Sequence, residues 1–262
     1  MRLATWNVNS VTARLPRLLE WLAETKPDVL CLQEIKTTTE AFPSEAVAEL
    51  GYETAAFGNG RWNGVAILSR VGLDDVTRGL VDEPGFPDQE TRAIGATCGG
   101  VRVWSIYVPN GREPTNPHYE YKLAWFAALQ RTVATELGAG PFVVTGDFNV
   151  APTDDDVWDP ALFVESTHVT PPERAALASL REAGLVDVFP RPLKYDHPFT
   201  YWDYRAGAFP NNKGMRIDLF YADATLAAAV TDAYVDRNAR KGKGPSDHAP
   251  VVVDVSTPLP AS

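Results

Sequence analysis

Polar side chains follow short apolar runs at five places along the chain. Each place carries Asn, Asp, Glu or His at or just past the end of its run, in residues 5–9, 32–34, 107–111, 145–149 and 246–250. Strand ends that gather at one edge of a sheet are where α/β proteins place their ligand sites. Any one of these segments could be an ordinary helix cap or turn, but their shared character predicts a single site.

The same segments supply the ligands of a hard divalent cation. The oxygen donors are Asn7, Glu34, Asp147, Asn149 and Asp247. Ligands of this kind suit Mg²⁺ or Mn²⁺ rather than zinc. A divalent ion held by a few carboxylates can polarise a phosphoryl oxygen and stabilise the leaving oxyanion. The donor set therefore predicts a site for phosphoryl transfer, with Mg²⁺ as cofactor and Mn²⁺ as its substitute.

Further side chains could move protons and stabilise charge. Asp147 is the natural base or water-positioning group, and Asn149 can donate a hydrogen bond to developing charge. His248 can donate another, and Asp218 is a candidate to orient and charge that histidine, as carboxylates do in other triads. These roles together predict hydrolysis of a phosphate ester.

Short strands and two amphipathic helices must position these residues. Runs rich in Val, Ile and aromatic residues predict strands over 3–8, 28–33, 64–69, 91–98, 101–108, 142–145, 216–221 and 251–255. A helical period predicts helices over 11–25 and 119–137, with Asn9 or Ser10 capping the first and Gly138 stopping the second. The proline clusters at 171–172 and 190–198 are predicted to lie in loops. We expect one α/β domain over residues 1–262, built from two packed sheets flanked by helices.

Composition and charge limit the classes of partner. No apolar run approaches the roughly 20 residues that span a bilayer, and no signal peptide is visible, so we expect a cytoplasmic protein without membrane contacts. Cys31 and Cys98 lie in apolar runs and are expected to be buried, reduced thiols. The formal net charge of −10 counts against a nucleic-acid partner. Net charge governs long-range steering, however, and not what a local cleft binds.

The order and wording of the motifs resemble the exonuclease III group of the endonuclease/exonuclease/phosphatase superfamily. The matching segments are WNVNS (6–10), YVPNG (107–111), GDFNVAPTD (146–154), RIDLF (216–220) and SDHAP (246–250), which cover nearly the whole chain. The resemblance implies a DNase I-like, four-layered α/β sandwich of two packed β-sheets flanked by helices. It also implies Mg²⁺-dependent cleavage on the 5′ side of abasic sites, with 3′ exonuclease and 3′-phosphatase activity.

The resemblance also implies a role for each site residue. Glu34 resembles the main metal ligand, helped by Asn7, and Asp247 resembles a second or alternative ligand, so that one ion or two remain open. The residues that resemble the catalytic groups are Tyr107 near the scissile phosphate, Asp147 for the water, Asn149 for the transition state, and His248 paired with Asp218 at the phosphate.

A substrate-binding surface is expected around these groups. Residues 199–205 hold four aromatic side chains and resemble a wall for a flipped-out abasic sugar, with Tyr201 as the ring and Met215 as the opposing wall. The candidates for contacts with DNA phosphates are Arg61, Asn63, Arg112, Arg205, Lys213, Arg216, Lys241 and Lys243. The last two lie in a glycine-rich loop that could also be plain solvated surface.

The preferred prediction is a monomeric DNA-repair nuclease that acts on double-stranded DNA with abasic sites or 3′ ends. One alternative is a phosphatase or phosphodiesterase of the same superfamily that acts on a lipid or inositol phosphate. Another is a binding module that kept the fold and lost its chemistry. A nucleotide-binding oxidoreductase is set aside, because no glycine-rich fingerprint follows the first strand.

Overall fold

The computed structural model describes residues 1–257, within which twelve strands form two six-stranded sheets. In chain order the strands are β1 (Arg2–Asn7), β2 (Val29–Gln33), β3 (Glu53–Phe57), β4 (Val65–Ser69), β5 (Asp74–Arg78), β6 (Ala93–Cys98), β7 (Val101–Tyr107), β8 (Phe142–Asp147), β9 (Val186–Asp187), β10 (Asp218–Ala222), β11 (Val230–Val235) and β12 (Val251–Val255). The first sheet has the order β11-β12-β1-β2-β4-β3, and the second has the order β5-β6-β7-β8-β10-β9.

Helices cover the outer faces of the sheets, except for a short helix at 224–228 whose Leu226 packs into the core between the sheets. The α-helices are α1 (Val11–Thr25), α2 (Ser44–Ala48), α3 (Pro117–Glu136), α4 (Pro171–Glu182) and α5 (Ala224–Ala228). Short 3₁₀ helices cover Asp154–Asp156, Pro160–Phe163 and Arg237–Arg240. None of the helices within residues 1–257 has the length and apolar character needed to cross a membrane.

Alternation along the central strands sorts side chains between the layers. In β2, Val29 and Cys31 pack into the core between the two sheets, whereas Leu30 and Leu32 pack with residues of α1. On the outer face of the second sheet, residues of α3 and α4 form a separate core that includes Trp125. Full burial of an aliphatic side chain contributes roughly 1.5–3 kcal/mol. The layers run helix, sheet, sheet, helix, which confirms the predicted four-layered α/β sandwich.

The two predicted helices are both present. The first has the predicted bounds, and Ser10 is its N-cap, with Oγ accepting a hydrogen bond from Ala13 N at 3.3 Å. The second begins slightly earlier than predicted, at Pro117, because Asn116 caps it and proline suits the first turn. Both cysteines are buried and free, as expected.

The prediction of a loop at residues 171–172 is wrong. Pro171 opens α4, where a missing N–H breaks no hydrogen bond. Thr170 caps the helix, and its reciprocal bonds with Glu173 form a capping box. Strands β3, β5, β9 and β11 are additions to the predicted set. In β5 every residue is exposed, so the sequence offers no apolar pattern there.

Strand register brings the motif residues to one edge of the two sheets. β1 and β2 run parallel with Asn7 opposite Gln33, so Glu34 follows directly beside the end of β1. In the second sheet Tyr107 lies opposite Asp147 in the parallel pair of β7 and β8. Asp218 lies opposite Asp147 on its other side, at the start of β10. Because the sheets pack face to face, these ends meet. The prediction of one domain over 1–262 remains a prediction, since residues 258–262 lie outside the described part.

Candidate active site

Three ionisable side chains from distant parts of the chain meet at this edge. Glu34, Asp147 and His248 each present a ligand atom, and these atoms lie within 4.8 Å of one another. The amide Nδ2 of Asn7 lies between the two carboxylates and donates to Glu34 Oε1 at 2.8 Å and to Asp147 Oδ2 at 3.0 Å. The convergence predicted from strand ends is therefore present in the structure.

The two carboxyl groups have different electrostatic surroundings. Burial raises the pKa of Asp147 to about 7; the charge of His248 opposes this rise, and Asp218 and Glu34 add to it. Burial acts in the same direction on Glu34, but the ammonium of Lys36, 2.8 Å from Glu34 Oε2, outweighs it together with the Asn7 amide and the charge of His248. The pKa of Glu34 therefore lies below its usual value. Glu34 is ionised at neutral pH, whereas Asp147 is poised near its midpoint.

The donor set fits a hard divalent cation. Glu34 and Asp147 lie on either side of the Asn7 amide, and carboxylate oxygens are ligands that Mg²⁺ and Mn²⁺ prefer. Asn7 presents Nδ2 to these carboxylates, and its Oδ1 accepts from Asn9 N at 3.0 Å, so its own role as a metal ligand stays a prediction. Neighbouring carboxylates repel each other, and a cation between them would remove that repulsion. Asp247 stands slightly apart, with Oδ1 accepting from Asn9 Nδ2 at 3.1 Å. Its assignment as a metal ligand therefore stays a prediction.

His248 and Asp218 form a buried ion pair beside these carboxylates. His248 Nδ1 lies 2.8 Å from Asp218 Oδ2, and the two side chains are 5% and 0% exposed. Burial disfavours a charged imidazole, but Asp218, Asp147 and Asp247 outweigh it and raise the pKa of His248 to about 10. Nε2 lies 3.8 Å from Asp147 Oδ2. The protonated ring can therefore present Nε2–H to a phosphate oxygen.

Tyr107 lies at the end of β7 with its ring against a buried guanidinium. The Arg92 guanidinium carbon is 4.7 Å from the ring centroid, and Arg92 Nη1 donates to the Tyr107 carbonyl at 3.2 Å. Burial and then the charge of Glu34 raise the pKa of Tyr107 well above its ordinary value. The hydroxyl therefore keeps its proton at neutral pH and can act as a donor.

Asn149 follows Asp147 in the left-handed conformation, with φ 51°, which Asn adopts more readily than most residues. This turn lets the Asn149 backbone N–H donate to Asp147 Oδ1 at 2.9 Å. Its Nδ2 donates to the Val108 carbonyl at 2.9 Å, and Asn110 Nδ2 lies 3.4 Å from its Oδ1. Asn149 therefore orients Asp147, while its role as a metal ligand remains a prediction.

A cavity of about 680 Å³ opens next to the His248–Asp218 pair. Tyr201 lines it, and the ring centroid of Tyr201 is 4.9 Å from that of His248. Met215 also lines it, but it lies beside Tyr201 and not opposite, because the backbones of the two residues exchange hydrogen bonds of 3.0 Å. The cavity therefore adjoins the proposed chemistry, as expected for a sugar pocket.

Several side chains of this cavity were missed by the sequence reasoning. Trp158, Leu162, Phe163 and His168 line it, and all come from the segment between β8 and α4. The available signal was the apolar and aromatic content of residues 157–163, soon after the GDFN motif. Burial, with the charge of Lys122 adding to it, lowers the pKa of His168 to about 3. His168 is therefore a neutral part of the wall at neutral pH.

Most of the residues predicted to contact phosphates lie at the surface. The exposed ones are Arg61, Arg112, Arg205, Lys213, Lys241 and Lys243, and Asn63 is half-buried. Arg205 and Lys213 lie at the cavity described above. Asn63 and Arg112 line a second cleft of about 420 Å³, together with Trp62, whose exposed side chain was not predicted.

The prediction that Arg216 contacts DNA is wrong. Its side chain is 3% exposed and forms ion pairs with Asp156 at 2.6 Å and Asp187 at 3.0 Å. A guanidinium held by two carboxylates below the surface cannot reach a phosphate on bound DNA. Arg216 instead ties the segment after β8 to β9, behind the wall that Met215 forms.

Comparison with known proteins gives matches over nearly the whole chain. The Endonuclease/Exonuclease/phosphatase family matches residues 4–248. Exodeoxyribonuclease III of Haemophilus influenzae is 31% identical over 96% of this chain and 98% of its own length. A solved 3′ phosphatase from Neisseria, bound to a product DNA hairpin, is 38% identical with a TM-score of 0.93, covering 98% of this chain and 99% of that one. An AP endonuclease from Archaeoglobus fulgidus is 35% identical with a TM-score of 0.92, covering 98% of this chain and all of that one.

These matches confirm the predicted fold and the prediction of an enzyme that hydrolyses phosphodiester bonds. They also agree with the positions of the motifs, because the family match begins in β1 and ends at His248. The chain belongs to the endonuclease/exonuclease/phosphatase family and, within it, to the group of exonuclease III and the AP endonucleases.

Proposed function

We propose that this chain cleaves the DNA backbone at abasic sites and removes nucleotides or phosphate from 3′ ends, with the help of a divalent cation. The observation that carries the proposal is the meeting of Glu34, Asp147 and His248 within 4.8 Å of one another. The similar proteins support it, since they include an exodeoxyribonuclease III, an AP endonuclease and a 3′ phosphatase with product DNA. The proposed partner is double-stranded DNA with abasic sites or 3′ ends.

The metal site would be centred on Glu34 and Asp147, with Asn7 between them and Asp247 and Asn149 nearby. Mg²⁺ or Mn²⁺ held there would polarise the phosphoryl oxygen and stabilise the leaving oxyanion. The protein's own part is to hold the two carboxylates at a fixed spacing, which the Asn7 amide does through its two hydrogen bonds.

The proton of the attacking water goes to Asp147 in this mechanism. A pKa near 7 suits a general base at neutral pH, and the Asn149 N–H fixes the direction of the carboxylate. As the new P–O bond forms and the bond to the 3′ oxygen breaks, charge grows on the phosphate oxygens. His248 Nε2–H and the Tyr107 hydroxyl would donate to those oxygens.

The abasic sugar would occupy the cavity beside His248. Tyr201, Met215, Trp158 and Phe163 give that cavity a largely apolar wall, as a flipped-out sugar requires. Exposed cations at its rim would contact the phosphates on either side. We also propose that the protein is cytoplasmic and that it acts as a monomer. Size-exclusion chromatography at working concentration would test the oligomeric state.

The test of this proposal is incubation with a duplex that carries one abasic site, and with a 3′-phosphate duplex, in Mg²⁺ and in chelator. We expect turnover in Mg²⁺, loss of turnover in chelator, and recovery with Mg²⁺ or Mn²⁺. A phosphoinositide is the comparison substrate, because the alternative superfamily phosphatase would need the same metal and the same His248–Asp218 pair. Turnover of the phosphoinositide with neither DNA cleaved would overturn the proposal.

A further inference from the structure

A fully buried lysine lies beneath the active-site loops and has no place in the mechanism above. Lys122, in the second turn of α3, bonds to Glu173 of α4, and both side chains are 0% exposed. A buried ion pair often stabilises a protein no better than apolar residues of the same size. The role of the Lys122 side chain is therefore sought in its other hydrogen bonds.

The ammonium of Lys122 joins two loops of the site. Nζ donates to the backbone carbonyl of Asn149 at 2.7 Å and to that of Asn110 at 3.1 Å. The first carbonyl belongs to the loop after β8, which directly follows the proposed base Asp147, and the second belongs to the loop after β7, which follows Tyr107. One side chain therefore sets the separation of the two loops whose side-chain amides meet at 3.4 Å.

The carboxylate of Glu173 extends this connection to a third segment. Glu173 Oε1 accepts the backbone N–H of His168 at 3.0 Å, and the His168 carbonyl accepts the N–H of Ala151 at 2.8 Å. His168 lines the cavity next to the His248–Asp218 pair. The ion pair is thus the common anchor of the two loops and of part of the cavity wall.

The aliphatic stem of Lys122 packs so tightly against the loop after β7 that a shift of the lysine would also shift the loop. A Cβ atom on Gly111 would lie 2.8 Å from Thr167 Oγ1 and 3.0 Å from Lys122 Cδ, and Gly111 has φ 88°. The loop after β7 therefore rests directly on the stem of Lys122. Such a loop has little room to move without displacing the lysine.

We propose that Lys122 is a positioning residue for the hydrolysis, holding the carbonyls of Asn110 and Asn149 so that the Asn149 N–H keeps Asp147 in its reactive orientation. The inference rests on the proposed function. A misplacement of about 1 Å near the reacting atoms can cost on the order of 10²-fold in rate. The effect should therefore appear in kcat, because the exposed cations that would contact DNA lie elsewhere.

The test compares Lys122→Met/Glu173→Gln with Glu173→Gln alone. The double variant removes both charged groups, whereas the single variant keeps the Lys122 nitrogen on its two carbonyls and removes only its counter-charge. Burial already lowers the pKa of Lys122 to about 8 against the opposing effect of Glu173, so the single variant favours the neutral amine, which can still donate to both carbonyls. We expect the single variant to have the lower Tm. The double variant should have the lower kcat, reduced roughly 10- to 100-fold with little change in KM.

The matched control is Arg102→Met/Glu136→Gln, which removes an ion pair at the opposite ends of β7 and α3. It should lower Tm without the fall in kcat. A kcat of Lys122→Met/Glu173→Gln equal to that of the parent, or a kcat that follows Tm across the three variants, would overturn the inference.

A second measurement does not depend on activity. In ¹H–¹⁵N spectra, the side-chain amide signals of Asn110 and Asn149 should shift or broaden in Lys122→Met/Glu173→Gln and stay in place in the Arg102 control. Unmoved signals in the double variant would also reject the inference. A parent without turnover on DNA would reject the proposed function instead, and these signals would still decide the role of Lys122.

Discussion

At Asp147, burial and a neighbouring imidazolium act in opposite directions on one carboxyl group. The outcome is a group that is 1% exposed yet exchanges its proton near neutral pH. Surface carboxylates stay ionised far below this range. The unusual pKa is a property of the site, because it depends first on burial and then on the charges of His248, Asp218 and Glu34.

Asp147→Asn keeps the size of the side chain and removes the base. We expect turnover to fall by at least roughly 10²–10⁴-fold, with DNA binding largely kept, because no phosphate-contacting cation is removed. Single-turnover kinetics and fluorescence anisotropy on the same abasic duplex measure the two effects separately. Near-normal turnover would remove Asp147 from its role.

Asp218→Asn tests the charge on His248 through the pH profile. His248 is protonated below its pKa of about 10, and Asp218 is the largest of the charges that raise it. Removing that charge lowers the pKa, so the imidazolium is lost at lower pH. In the profile of kcat/KM against pH, the alkaline limb of the variant should move toward neutral pH relative to the parent.

The acid limb of the same profile provides the control. In the parent, activity should rise as Asp147 ionises, at or below pH 7, because a bound cation favours the carboxylate. Asp218 also raises the pKa of Asp147, so the acid limb of the variant should move the same way, to lower pH. An alkaline limb that stays in place would show that His248 does not carry the required proton.

At the scale of elements, the loop 240–244 is held beside α1 and the site. Arg17 of α1 donates to the backbone carbonyls of Ala239 at 3.2 Å and Lys241 at 2.8 Å. Lys241 and Lys243 themselves are exposed. The backbone of the loop is therefore anchored while both lysines remain exposed, and Lys241 Nζ donates to Asn238 Oδ1 at 2.7 Å.

Lys241→Ala/Lys243→Ala should weaken DNA binding and flatten its dependence on salt. Each lost phosphate contact lowers the slope of log K against log salt by about 0.9 on duplex DNA, so the two together should lower it by up to about 1.8. Lys26→Gln, at the far end of α1 from the site, is the control. An unchanged slope in the double variant would show that the two lysines do not contact DNA phosphates.

At the scale of the whole molecule, the formal net charge of −10 sits on a protein proposed to bind DNA. Part of the conflict is resolved by where the charges lie. Glu34 and Asp147 are turned inward at the proposed metal site, and Asp156 and Asp187 are paired with the buried Arg216. Several other cations are exposed near the site. Binding then depends on the local cleft and not on the overall sign.

If Glu34 and Asp147 hold a divalent cation as proposed, that cation should stabilise the folded protein as a whole, because it binds only the folded state. Binding at 100 times Kd contributes about 2.7 kcal/mol, which corresponds to a rise in Tm of roughly 5–10 °C for a protein of this size. Differential scanning fluorimetry with and without Mg²⁺ measures it. Glu34→Gln removes the main predicted ligand and should abolish most of the rise, and an equal rise in both proteins would place the ion elsewhere.

The sequence by itself determined the chemistry of the site and the ends of the strands that carry it. Residue type decided this, because hard oxygen donors and a His–Asp pair are recognisable wherever they stand. The periodicity of α1 was equally local, and its predicted bounds are confirmed. Exposed β5 lacked that periodicity and escaped prediction.

Only the tertiary structure decided which charged residues face the solvent and which face each other. Arg216 and Lys213 are both cations near the pocket wall in sequence, yet one is buried between two aspartates and the other is exposed. Lys122 and His168 gained their places from contacts across 51 and 17 residues of chain, with Glu173 and Ala151. Contacts of this kind depend on how the layers pack, and no local pattern of residue types records them.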